Sequence, residues 1–475
     1  MSQMSLMGGA PPVAPGRAVL PEVHRPPAVY RHVLRGCAPR PLGSYLKALG
    51  ILRIVAEQAD PDARGYWKDD AFVLLTRLDE ASLLEFFLSS WRPSPFVSPW
   101  NKASGLLGLD ARGVQPLVDS RAARFRELRT GIAQARALTQ AMEEAVLAEK
   151  AVKGEKTRIK DPVGKLRLEN DPLYRQRVAL AAKACKRLKD QLQPECQLRW
   201  RGPALRWLRT AVVIDSAGEA SFPALLGTGG NDGKLDFTNN AMQRLGELFD
   251  LGTEGGGARG GAHFALRSAI FGATAMGLVR APIGQFAPAA SGGANATSGA
   301  LAKSLVNAWD LPLLLEGSVL FTAGTSRRLG GAASERTVAP FSSRALSAGY
   351  GTAALADETA RGEQWMPLWS RPWTATEVQA LLSEGRCQLG RRPTESGLDV
   401  ARAVSRLGVA RGVDAFERYG YIERNGKSNY AVPLGRWAVR IEPAANLIDD
   451  LDAGNWWAQL RRAARGPRTW LRLPP

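Results

Sequence analysis

The sequence predicts a helix-rich α+β fold, with a mixed N-terminal body and a mostly helical C-terminal part. Three features predict it. Long stretches carry apolar residues at helical spacing. Short apolar runs at Ala71 and Ala211 read as strands between them. Glycine and proline clusters punctuate both kinds of segment. A chain of 475 residues suffices for roughly two to four domains with buried cores. The expected division is a flexible tail over 1–27, a body over 28–320 holding the basic region and the glycine-rich loops, and a helical part over 321–475.

The tail is rich in Pro, Gly and Ala, and order is expected from Tyr30. From Ser44, the spacing of Leu46, Leu49, Leu52 and Ile54–Val55 predicts a helix, ended by the turn signal Asp60-Pro61. AFVLLTRL from Ala71 reads as a strand, and DEASLLEFFLSSW as a helix capped by Asp79. The stretch from Arg92 to Gly105 cannot be regular, because Pro93, Pro95 and Pro99 lack amide donors. Ala, Glu, Gln and Arg then dominate a long helix from Ser120 to Val152. KGEKTRIKDPVGK, from Lys153, reads as a mobile basic loop, and Pro172 to Leu192 as a second basic helix. A strand-like run follows at Ala211 to Ile214. Glycine-rich stretches begin at Leu225, Gly252 and Gly284; the last two read as floppy loops. Further on, Thr374 and Glu377 form a capping-box pattern. Residues Val400 to Tyr430 read as a helix, a turn at Leu407-Gly408-Val409, a second helix GVDAFERYG, and a hairpin at Asn425-Gly426. No fixed-period repeat is visible.

Charge is the strongest bulk signal. Lys and Arg number 63 against 45 Asp and Glu, for a net +18. Such a surplus attracts phosphate backbones and releases their counterions. It is concentrated: residues 150–209 hold 17 Lys/Arg and 6 Asp/Glu. Helical spacing puts Lys183, Lys186–Arg187 and Lys189–Asp190 on an exposed side. Tyr174, Trp200 and Trp207 are interleaved and offer faces for base stacking; a solvated helix face over core tryptophans is the plainer alternative. The 13 Trp against 14 Phe and 8 Tyr fit either packing or base stacking. Cys37, Cys185, Cys196 and Cys387 form no CxxC pair, which fits a reducing cytoplasm. No metal and no cofactor are expected, and with His24, His32 and His263 as the only histidines a His-based centre has little material. No uninterrupted apolar run reaches membrane-spanning length, and the N-terminus lacks a secretory pattern.

GTGGNDGKL, from Gly227, invites comparison with a P-loop, but Thr228 stands where Gly is needed and Leu235 follows Gly233-Lys234. What it offers is backbone amides and Lys234 for phosphates, and Asn231, Asn239 and Asn240 for base edges. A turn stabilised by Asx hydrogen bonds accounts for the same residues. The Val400–Tyr430 block outlines a winged-helix DNA-binding transcription regulator, but its second helix carries Asp414 and Glu417 beside Arg418, too acidic for most recognition helices. Glu143–Glu144 and Asp449–Asp450 are acidic pairs without a supporting His, Lys or metal set. No nucleophile–base pattern is evident.

Several strings resemble the large-subunit family of the type I-G (formerly I-U) CRISPR Cascade effector complex. They are CAPRPLGSYLKALGILRIVAEQADPDARGYW from Cys37, SPWNKASG from Ser98, LLGTGGNDGKLDFTNN from Leu225, PLWSRPWTATEVQALLSEGR from Pro367, and DVARAVSRLGVARGVDAFERYGYIERNGKSNYAVPLGR from Asp399. They stand in the family's order and span the chain from Cys37 to Arg436. The resemblance implies a non-catalytic subunit that binds CRISPR RNA and target double-stranded DNA beside Cascade backbone subunits. It would read a short motif flanking the target, help open the duplex, and help recruit a helicase–nuclease. By analogy with other Cascade types, Gly229, Gly230 and Asn231 form the reading loop with Lys234 nearby, and Trp100, Asn101 and Lys102 are a second candidate. The resemblance also leads one to expect a further helical, small-subunit-like portion beyond Pro475.

Overall fold

A computed structural model of the chain describes residues 28–227, 229–232, 235–274, 276–291, 304–326, 336–343, 362–385, 388–389, 392–393, 399–404, 412–424 and 428–440, with positions 456 and 459. The fold is helix-rich α+β, as the sequence predicts. Tail 1–27 lies outside the described residues.

β1 (Tyr30–Leu34) leads into α1 (Leu42–Gln58), then β2 (Arg64–Lys68) and β3 (Ala71–Thr76). α2 (Glu80–Glu85) starts at Asp79, whose carboxylate accepts from Ser82 N at 2.8 Å. The proline-rich stretch forms neither helix nor strand, yet most of it is buried. α3 (Val114–Asp119) precedes α4 (Arg126–Arg158), α5 (Pro162–Asn170) and α6 (Pro172–Arg199). The basic loop expected from Lys153 is therefore helical: α4 runs on to Arg158, and only three residues separate it from α5. Helix continues there because Lys153 and Lys156 find carboxylate partners in Glu149 and Glu169, so the cationic run is locally offset.

α7 (Gly202–Ala211) is followed by the short pair β4 (Val213–Ile214) and β5 (Ala220–Ser221), and then by β6 (Asn231–Asp232) and β7 (Leu235–Asp236). α8 (Phe237–Leu248), α9 (Ala262–Phe271), β8 (Val279–Ala281), β9 (Ser304–Val306) and α10 (Asp310–Ser318) complete the body. Beyond it come β10 (Gly324–Ser326), β11 (Arg336–Val338), β12 (Ser342–Ser343), β13 (Glu363–Leu368), β14 (Trp373–Thr374) and α11 (Ala375–Ser383). β15 (Gln388–Leu389), β16 (Arg392–Pro393), β17 (Ala415–Arg424) and β18 (Ser428–Ala438) follow. Thr374 and Glu377 make both bonds of the capping box.

Two four-stranded antiparallel sheets organise the molecule, ordered β1-β3-β2-β14 and β12-β13-β17-β18. The described residues beyond 321 are mostly strand, which corrects the expected helical C-terminal part. The segment GVDAFERYG, expected as a second helix, enters strand β17 at Ala415, which pairs with β13 and β18. Long-range pairing with Glu363–Leu368 overrides its local preference. Glu417 is buried and ion-paired to Arg40 at 2.5 Å and Arg436 at 3.2 Å, while Arg418 lies over the Trp365 ring. Those side chains serve the sheet, so no recognition helix stands there. The turns at 407–409 and 425–426 lie outside the described residues.

β14 joins the sheet of the body, and Tyr45 donates to Pro367 O at 2.7 Å. The core centres on α1 against α10 and on two aromatic groups, Tyr45–Trp67–Phe72–Trp369 and Phe87–Trp91–Phe249–Trp309. Trp91, Trp100, Trp200, Trp207, Trp309, Trp365 and Trp369 are fully buried, so the tryptophan wealth goes largely into packing.

Candidate nucleic-acid interface

The two candidate segments, 129 residues apart, meet in space. Trp100 Nε1 donates to Gly229 O at 2.7 Å, and Asn101 Nδ2 donates to the same oxygen at 3.0 Å. Ser98 completes the seat: its amide donates to Thr238 Oγ1 at 3.0 Å and its hydroxyl accepts from Trp207 Nε1 at 3.1 Å. Gly229 and Gly230 take positive φ, +79° and +94°. A methyl on Gly229 would press on the Phe222 ring at 2.7 Å, and one on Gly230 would strike Ser98 Oγ. Glycine is needed at both positions for backbone angle and for space. The turn delivers the chain into the β6–β7 hairpin and then α8. Gly233 and Lys234, which join the two strands, lie outside the described residues, as does the side chain of Asn231.

Asp236 caps α8, its Oδ1 accepting from Asn239 N at 3.0 Å. Burial pushes its carboxyl pKa up to about 7, against the pull of the Asn239 and Thr238 amides. Asn239 is spent inside the protein: Nδ2 donates to Asp110 O at 2.8 Å and Oδ1 accepts from Gly113 N at 3.0 Å. Asn240 Nδ2 donates to Asp236 O at 2.6 Å. Trp100, Asn101 and Asn239 are buried, so they position the loop rather than present themselves to a ligand. Tyr174, Trp200 and Trp207 are also buried, which removes them as stacking platforms.

Two lysines, Lys102 and Lys189, lie beside this seat. α4 and α6 form an antiparallel hairpin, since Glu149 sits opposite Cys185 and Glu155 pairs with Arg177. Lys102 pairs with Glu149 of α4, which also holds Lys153 at 2.7 Å. Burial alone would raise the Glu149 pKa, but hydrogen bonds from Lys102, Lys153 and Cys185 bring it down to about 2. Lys189 lies half-buried with its ammonium 5.1 Å from the Phe222 ring centroid, on the residue that packs against Gly229. Burial lowers the Lys189 pKa, and the like charges of Lys102 and Lys186 lower it further. Lys183, Lys186 and Arg187 are exposed and carry no ion pair among the described residues. Helical spacing groups Lys189 with them, but its side chain turns inward. Sequence reasoning misses Phe222 and Asp236, for which an aromatic and a cap residue flanking the glycine loop are the available signals.

Among the described residues no group of three or more His, Cys, Asp or Glu could hold a metal ion, and no helix is long and apolar enough to cross a membrane. No protein-family model matches the chain, and no curated protein matches it.

Proposed function

We propose that the chain is a non-catalytic large subunit of a CRISPR RNA-guided surveillance complex in the cytoplasm. In this reading it contributes recognition of the target-flanking motif in double-stranded DNA, duplex opening, and recruitment of a helicase–nuclease. Guide RNA and Cascade backbone subunits are its other partners. The supporting observation is the seating of the Gly229–Gly230 turn by Trp100 and Asn101, with Lys189 against the Phe222 ring beside it, and with Lys183, Lys186 and Arg187 of α6 exposed and without an ion pair among the described residues. The turn itself is buried, its carbonyls taken by Trp100, Asn101 and Phe237, so contact with a nucleic acid would fall to Asn231 and Lys234 that follow it, while neighbouring cations hold phosphates. The resemblance of five ordered strings to the type I-G large-subunit family supplies the complex in which such a site would work.

The test is co-purification with the neighbouring gene products and extraction of bound RNA, followed by titration with duplexes that bear or lack candidate flanking motifs. Asn231→Ala and Lys234→Ala should weaken binding to motif-bearing targets and leave assembly unchanged. Equal binding by variant and parent removes the loop from the site. A protein that carries no RNA and ignores DNA at modest ionic strength removes the whole reading.

A further inference from the structure

The far end of the α4–α6 hairpin has a different character from its base. α5 buries none of its nine residues, although it contains Val163, Leu166 and Leu168. Val163 (69%), Leu166 (59%), Leu173 (69%) and Leu180 (60%) are mostly exposed. Each aliphatic side chain left in water forgoes the stabilisation that burial would bring. A nine-residue helix is also too short to persist without support. The chain supplies that support by polar means. Asp161-Pro162 and Asp171-Pro172 are two successive cap-and-proline starts, with Asp161 accepting from Gly164 N at 2.5 Å and Asp171 from Leu173 N at 3.0 Å. Lys156 pairs with Glu169, and Arg175 donates to Glu169 O at 2.6 Å and Asn170 Oδ1 at 2.7 Å. The leucines are thus held out in a fixed arrangement that they do nothing to stabilise.

We propose that this tip docks an acidic amphipathic helix of a partner protein. Leu173 and Leu180 are seven residues apart on α6 and share a face, the spacing that interlocks with a partner helix. Lys160, Arg167 and Arg175 are exposed along the same segment and select a negatively charged partner. A second copy of the chain would bring the same positive charge and be repelled. Nucleic acid would satisfy the cations but leave the aliphatic side chains in water. The inference stands on the tip alone and does not depend on the nucleic-acid reading of the base.

The probe is a fluorescein-labelled heptad peptide with Leu at both core positions and Glu at its flanks, titrated into the full chain by anisotropy. The control is a peptide of identical composition with the leucines scattered around the helix. The patterned peptide should bind at least tenfold more tightly than the control and weaken as salt is raised. Leu173→Ser with Leu180→Ser should reduce its affinity at least tenfold, and Val163→Ser with Leu166→Ser should do likewise. All four residues are exposed, so circular dichroism and duplex-DNA affinity should not move. Equal binding of the two peptides overturns the proposal, as does unchanged affinity in the serine variants. Loss of DNA affinity in those variants, or leucine-dependent binding to phosphatidylserine vesicles in place of the peptide, also overturns it.

Discussion

Two helix pairs in this molecule have opposite designs. α1 buries 13 of its 17 residues and α10 eight of nine. They approach through reciprocal glycines: a methyl on Gly50 would fall on Leu313 O, and one on Gly317 on Leu46 O. Even their charges are internal, with Lys47 paired to Asp310 at 2.7 Å and Arg53 to Glu316 at 2.8 Å. α4 buries only eight of 33 residues and α6 five of 28. One pair spends its side chains on the fold; the other keeps its side chains in solvent and so leaves them for partners. Burial, not helix content, separates the residues whose loss unfolds the protein from those whose loss changes what it binds.

The largest effect expected follows from the reciprocal glycines. Gly317→Ala or Gly50→Ala forces two backbones apart and should cost about 3 kcal/mol or more, or abolish soluble protein. Gly154, inside α4, has nothing within 4 Å of where a methyl would sit. Gly154→Ala should therefore stabilise, by roughly 0.5–1 kcal/mol, through helix propensity alone. Chemical denaturation of the two variants gives opposite signs if the contrast is right, and the same sign if it is not.

Asp236→Asn tests the boundary between the two designs. Its folded pKa of about 7 lies above the ordinary 3.8, so folding favours the protonated form. The stability this contributes is complete below the unfolded value and is lost as pH rises through about 7. Asn caps a helix nearly as well as Asp and cannot ionise. The variant should therefore be more stable than the parent at pH 8, by up to a few kcal/mol, and should come close to it in acid, where the parent's carboxyl is protonated. Denaturation at several pH values reads this out; parallel profiles would show that the carboxyl does not titrate as described.

Much of this is legible in the sequence, for a physical reason. α1, the Asp79 cap and the capping box at Thr374 are set by contacts within a few residues. β17 reads as a helix locally because its partner β13 lies about fifty residues away, and local preference says nothing of it. The stretch from Lys153 reads as a loop because unpaired lysines suggest one, while Glu149 pairs Lys153 from four residues back. Both halves of the candidate site stand out as strings, Trp100–Lys102 and Gly229–Asn231. That a tryptophan N–H holds a glycine carbonyl across 129 residues is a tertiary fact that neither string encodes.

The smallest effect on stability is expected from α6, where the effect on binding should be clear. Lys183, Lys186 and Arg187 are exposed and unpaired among the described residues, so reversing all three to Glu should change folding free energy by no more than about 0.5 kcal/mol. The same change should lower nucleic-acid affinity across all sequences. It should also make the slope of log affinity against log salt shallower by about three, roughly one for each phosphate that is no longer neutralised. Sequence-independent weakening is the sign of backbone binding; weakening confined to one motif would move these residues into the reading site. A variant that unfolds would show that α6 belongs with α1 after all. A variant that folds normally and binds normally would leave the charge concentration of residues 150–209 without a polyanion to hold, and would send the search for the binding surface back to Lys102, Lys189 and the glycine turn.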